Sequence, residues 1–193
     1  MHEVNAGAGC PSYDVVVRGL SCPLELVRAA SRKTHSFAGE FDIPLPVVTP
    51  QPGVECRNSA GGHSLVVTFS AQVTSGNASV IAGVGSAGAP TFSGTTMTIP
   101  LSGVADMQKI TVLFSGVTSS LGQVLSNTAV SMNLLVADTN RDKSVNSGDA
   151  LQTRNRSGQA VSAGNFRSDV NTSGTINSGD AFIVRARSGN SSP

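Results

Sequence analysis

Between residues 36 and 137, apolar and polar positions alternate in short runs broken by Gly, Ser, Asn and Pro. Leu65, Val67 and Phe69 alternate with Val66, Thr68 and Ser70. Ile110, Val112 and Phe114 follow the same period of two, as do Val130, Met132, Leu134 and Val136. That period belongs to a sheet with one buried face. It predicts strands at 40–45, 53–57, 63–73, 78–82, 91–93, 95–101, 109–115 and 129–137. Strands at this spacing with no convincing helix between them predict a β-sandwich. Upstream, residues 1–35 form a poorly defined segment in which Leu24, Leu26, Val27 and Ala30 could share one face of a short helix over 23–31.

The pattern changes at 138. DTNRDKSVNSGDALQTR (138–154) recurs 31 residues later as DVNTSGTINSGDAFIVR (169–185), with Asp, Asn, Asn-Ser-Gly-Asp-Ala and Arg in register. In each copy, oxygen-bearing side chains occupy positions 1, 3, 5, 7, 9 and 12 of a twelve-residue loop, with Val145 or Ile176 at position 8. This is the EF-hand-type spacing by which one loop wraps Ca²⁺ in six to eight oxygens, with a helix beginning at the position-12 carboxylate.

The first loop offers Asp138, Asn140, Asp142, the Ser144 carbonyl, Asn146 through water, and Asp149. The second offers Asp169, Asn171, Ser173, the Thr175 carbonyl, Asn177 through water, and Asp180. The apolar residue at position 8 points away from the ion and can pair with its counterpart in the other loop. Position 6 demands a sharp turn: Gly174 supplies it, whereas Lys143 must adopt a left-handed conformation at roughly 1–2 kcal/mol. Loop 1 thus has three carboxylates and a poorer turn, loop 2 two carboxylates and a better one. Such ligand sets suit millimolar extracellular calcium rather than a cytosolic sensor.

Paired loops with Asn at position 9 and Asp at position 12, each followed by one short helix, resemble type I dockerins over about 137–188. The resemblance implies a Ca²⁺-dependent module that binds a cohesin-like partner in bacterial extracellular assemblies. It also implies partner contacts from hydroxyl residues after the Asn, here Ser147 and Ser178, and from basic residues on the helices, here Arg154 and Arg185. Gly148 and Gly179 replace the second hydroxyl of that pattern, so calcium binding carries over more completely than partner recognition. The central region, with VVTFSAQV, FSGTTMTIPL and KITVLFSGVTSSLGQVLS, resembles bacterial Ig-like domains of surface-layer and adhesin proteins more loosely. The expected organisation is therefore mainly β: an Ig-like β-sandwich over 36–137, then a small α-helical dockerin-like calcium module over 138–193.

Composition narrows the functions. Charged residues are 13% of the chain and the net charge is +1, which gives no case for nucleic acid or an anionic membrane. The longest apolar runs, at 15–17 and 134–137, are far too short to span a bilayer. There is no Gly-x-Ser-x-Gly elbow, no phosphate loop, no Gly-x-Gly-x-x-Gly opening a helix and no His-Glu-x-x-His. Glu40 and Asp42 share a strand face, where solvent accounts for them. With no Trp and one Tyr, a sugar-stacking platform is hard to build. Cys10, Cys22 and Cys56 lack metal or redox spacing; Cys10 and Cys22 could bridge, and Cys56 beside His63 reads as a half-buried thiol near a surface imidazole.

The opening residues carry acid and an interrupting Arg18 rather than a basic export leader, so the chain is expected to be a fragment, to carry an incorrect start, or to be a piece of a longer secreted protein. The expected function is a non-catalytic extracellular or cell-surface protein that binds two calcium ions and docks to a protein partner. The alternative is the non-catalytic C-terminal part of a larger secreted carbohydrate-active enzyme, which would supply any carbohydrate contact while the calcium module serves a structural role.

Overall fold

Period-two alternation builds most of the molecule. The computed structural model describes residues 22–48, 52–58 and 62–193. Its strands are β1 (Leu26–Thr34), β2 (Glu40–Leu45), β3 (Gly53–Glu55), β4 (His63–Phe69), β5 (Val73–Ala82), β6 (Ser86–Ala87), β7 (Thr91–Ser93), β8 (Thr96–Ser102), β9 (Gln108–Ser119) and β10 (Thr128–Leu134). Helices α1 (Ser147–Arg156) and α2 (Ser178–Ala186) follow.

Two sheets form among the described residues. One runs β2-β1-β4-β8-β6, with β7 also on β8; the other runs β3-β10-β9-β5. Leu65, Val67, Met97 and Ile99 from the first sheet share one buried cluster with Val112, Phe114, Val130 and Met132 from the second. Pairing is antiparallel except where β3 lies parallel to β10, Val54 opposite Asn133.

The helix expected at 23–31 is instead β1, which sits between β2 and β4. A register shift between Leu26 and Arg28 breaks the alternation, and the residues that then point inward run Ala29, Ser31, Lys33. An inward face that is two-thirds polar carries no apolar signature, so Leu24, Leu26, Val27 and Ala30 gave a false helical period. The β-domain therefore takes in residues upstream of position 36.

β10 also ends earlier than its alternation suggests. After Leu134 the chain leaves the sheet, and Leu135, Val136 and Ala137 enter a second cluster with Val54, Val145, Val170 and Val184. That cluster belongs jointly to β3 and the tail. The tail is thus packed on the β-domain through shared apolar side chains.

Cys22 is disulfide-bonded, and the Cys10 end of the expected bridge lies outside the described residues. Cys56 and His63 are both buried, not half-buried and exposed. Burial pushes the Cys56 thiol up to about 11, the reverse of activation. Glu40 and Asp42 do not simply face solvent either: Arg32 grips Asp42 at 2.7 and 2.9 Å across the β1–β2 pair and reaches Glu40 at 3.6 Å. That hydrogen bond holds the Asp42 carboxyl below the usual range.

Candidate metal centre

Both loops of the tail close on their position-12 aspartates. In loop 1, Asp149 Oδ1 accepts from the backbone N–H groups of Thr139 (2.7 Å) and Asn140 (3.1 Å), and Oδ2 accepts from Asn146 N–H at 3.0 Å. In loop 2, Asp180 Oδ1 accepts from Asn171 N–H at 3.1 Å and Oδ2 from Asn177 N–H at 2.9 Å. The repeated sequence produces a repeated local structure.

The same carboxylates start the helices. Asn146 and Asn177 are N-caps whose side chains accept from Gly148 and Gly179 N–H at 2.7 Å, while Asp149 and Asp180 at N3 reach back to the cap backbone. These reciprocal bonds form capping boxes, so each helix begins at Ser147 or Ser178, two residues before the expected position. Asn at position 9 therefore serves the helix as well as the loop.

Loop 1 brings its carboxylates together. Asp138, Asp142 and Asp149 each present a ligand oxygen, all within 4.8 Å of one another. Asp138 and Asp149 are buried and Asp142 is exposed. Burial, reinforced by the charges of Asp149 and Asp142, pushes Asp138 up to about 6 against the pull of the Lys143 and Arg141 N–H groups. A cation among three such oxygens would relieve both the burial and the repulsion. Asn140 and Asn146 lie at the same mouth, their amides 2.9 and 3.1 Å from Asp142 Oδ2. An all-oxygen donor set of this kind fits Ca²⁺.

Loop 2 has two carboxylates, with Ser173 in the third place. Ser173 Oγ lies 3.5 Å from Asp169 Oδ1 and 3.2 Å from the Thr175 carbonyl, so the predicted position-1, -5 and -7 groups converge. Asn171 Oδ1 accepts from Ser173 N–H at 3.0 Å. Burial pushes Asp180 upward as well.

Backbone geometry follows the turn requirement. Lys143 takes φ 70° and Gly174 φ 87°, and Arg141 and Thr172, both at position 4, are also left-handed, at φ 70° and 57°. The apolar position-8 residues are both buried, and their backbone groups bond to segments beyond the helices. Val145 exchanges backbone hydrogen bonds with Gly189 and Asn190 beyond α2, and the Ile176 carbonyl accepts from Gly158 beyond α1. Each loop is thus braced by the chain leaving the other loop's helix.

The expected partner residues lie outside. Ser147, Arg154 and Arg185 line a groove of about 450 Å³ between α1 and α2 with Ala150, Leu151 and Ala181, and Ser178 is exposed at the start of α2. Leu151 (56% exposed) and Phe182 (73%) project into solvent, although the apolar pattern of the tail suggests core anchors. The core of the tail instead uses Val145, Val170 and Val184.

What sequence reasoning missed is how the second loop is seated. His35 Nδ1 lies 2.8 Å from Asp169 Oδ2, and both side chains are fully buried. Arg57 Nη1 lies 3.2 Å from His35 Nε2 and donates to the Phe41 carbonyl, while Nη2 and Nε bind Glu55 at 2.7 and 2.8 Å. Phe166 stacks on Phe41 with centroids 5.2 Å apart, and the Arg57 guanidinium lies 5.4 Å from the Phe166 centroid. Arg167 donates to the Val54 carbonyl and Asn58 N–H to the Val170 carbonyl. The one legible signal was Glu55 and Arg57, two residues apart on the expected strand 53–57 and so on one face, although β3 itself ends at Glu55.

Residues 125–187 match the family model of the dockerin type I domain. The match spans both loops and both helices, and its upstream part falls on β10 of the second sheet. No curated protein and no solved structure matches the chain. Among the described residues, no helix is long and apolar enough to cross a membrane.

Proposed function

We propose that this chain is a non-catalytic extracellular or cell-surface protein in which the dockerin-like tail binds a calcium ion in each loop and docks to a cohesin-like protein partner. The observation that carries this reading is the exposed face of α1 and α2. Two capped helices, placed by in-register loops, turn Leu151, Phe182, Arg154 and Arg185 outward, and apolar and arginine side chains are what protein interfaces use as anchors. The two-sheet domain is read as an Ig-like sandwich acting as a spacer, and the disulfide at Cys22 accords with an oxidising compartment.

Binding to a panel of type I cohesin modules in millimolar calcium, with and without chelator, tests the docking. A Leu151→Asp/Phe182→Asp variant should bind at least about 30-fold more weakly, the loss expected from removing an interface hot spot of 2 kcal/mol. Failure of every cohesin to bind a calcium-loaded chain would leave the second reading, a structural calcium module at the end of a larger secreted carbohydrate-active enzyme. The burial of loop 2 against the β-domain favours that second role.

A further inference from the structure

The two loops differ at position 6 in a way that their own turn geometry does not explain. Both positions are left-handed, yet one is Lys143 and the other Gly174. A Cβ on Gly174 would come 2.9 Å from the His35 carbonyl oxygen and 3.1 and 3.3 Å from the Phe37 ring. Glycine is required there because the β1–β2 connection presses on the loop. Lys143, at the matching place in loop 1, reaches the Pro193 carbonyl with its Nζ at 3.2 Å.

His35 delivers that contact with a defined hydrogen. A guanidinium can only donate, so Arg57 Nη1 makes His35 Nε2 the acceptor and leaves the hydrogen on Nδ1, facing Asp169. Asp169 Oδ2 then accepts from both His35 and Gly174 N–H (2.9 Å), while Oδ1 meets Ser173 N–H at 3.0 Å. In loop 1 the matching Asp138 is held by the backbone N–H groups of Arg141, Asp142 and Lys143, all from the loop itself.

The geometry points to His35 as a positioning residue for the calcium site of loop 2, so that this site is completed by the β-domain and calcium there also fastens the tail to the sheets. The inference rests on the calcium reading above. Loop 2 lacks the position-5 carboxylate, and a fixed position-1 carboxylate compensates by lowering the reorganisation needed to receive the ion. Because Asp169 belongs to both the loop and the buried His35–Arg57–Glu55 chain, affinity for the ion and seating of the tail must reinforce each other.

Calcium titration of the full chain carrying Asp149→Ala reports loop 2 alone. In that background His35→Phe, which fills space but offers no donor, should weaken binding roughly 10–100-fold, while His35→Asn, whose amide can replace the Nδ1 hydrogen, should stay within about threefold of the parent. With both loops intact, His35→Phe should leave loop 1 unchanged. Hydrogen exchange on the unsubstituted chain gives an independent reading if the phenylalanine variant does not fold. Calcium should slow amide exchange at His35 and Val54–Arg57, and Asp180→Ala should abolish that protection while Asp149→Ala preserves it. Equal loop-2 affinity in all three chains, an equal loss with Phe and Asn, or no calcium-dependent protection at His35 overturns the inference. If neither loop takes calcium, the calcium reading itself fails; if both fill regardless of His35, only the positioning role does.

Discussion

An Arg57→Met variant should lose about 3–5 kcal/mol of stability, most of what a domain of ordinary stability possesses. Glu55 and Arg57 are both fully buried, and Glu55 takes three hydrogen bonds from Arg57 and one from Ser31. Burial alone would push the Glu55 carboxyl up; the Arg57 guanidinium, with Lys33 and His63 as weaker contributors, outweighs it and holds the group well below the carboxylate range. Removing Arg57 leaves a charge in the interior with Lys33 as its main remaining counter-ion. Replacing both partners, Glu55→Met with Arg57→Met, should cost less than the single change, because no buried charge then remains.

The sign of the pH dependence follows from the same pair. A folded carboxyl held below its unfolded value of about 4.3 contributes stability that is complete above that pH and is lost as pH falls below it. The wild-type chain should therefore weaken in urea below about pH 4. In Arg57→Met the deficit relative to wild type should narrow over the same range, since a protonated Glu55 no longer needs a cation. A constant deficit down to pH 3 would mean that Arg57 acts by packing alone.

Chelation should have an effect of similar size. In the ion-free chain three carboxylates of loop 1 lie within 4.8 Å, and the helices that follow the two loops are 10 and 9 residues long, too short to persist without support. At free calcium one hundred times the dissociation constant, each site adds roughly 2.7 kcal/mol, or about 5 kcal/mol for two. For a chain of this size that corresponds to a fall of about 10–20 °C in Tm on adding chelator. Thermal unfolding with and without calcium checks it; an unchanged Tm would mean that the tail is held by its apolar contacts alone.

Much of the β-domain was legible because its inward residues are apolar. Leu65, Val67 and Phe69 or Val112 and Phe114 announce both strand and face. The paired loops of the tail were legible for a different reason: the calcium chemistry proposed for them requires oxygen at set positions, and the motif is written twice. What stayed hidden is the buried polar seam. Ser31, Lys33, His35, Glu55 and Arg57 read locally as surface, and their burial depends on partners up to 134 residues away, as Asp169 is from His35. Their partners come from other elements of the chain, so no local period can reveal them. Leu151 and Phe182 are the converse case, apolar residues that the caps and loop register turn outward.

Calorimetric titration of the full chain with calcium, paired with far-ultraviolet circular dichroism in chelator and in calcium, tests the account most directly. Two ions per chain with a gain of helix on loading is the predicted result. No heat at millimolar calcium, with the same helix content in chelator, would contradict it and reduce the loops to hydrogen-bonded turns on a β-domain.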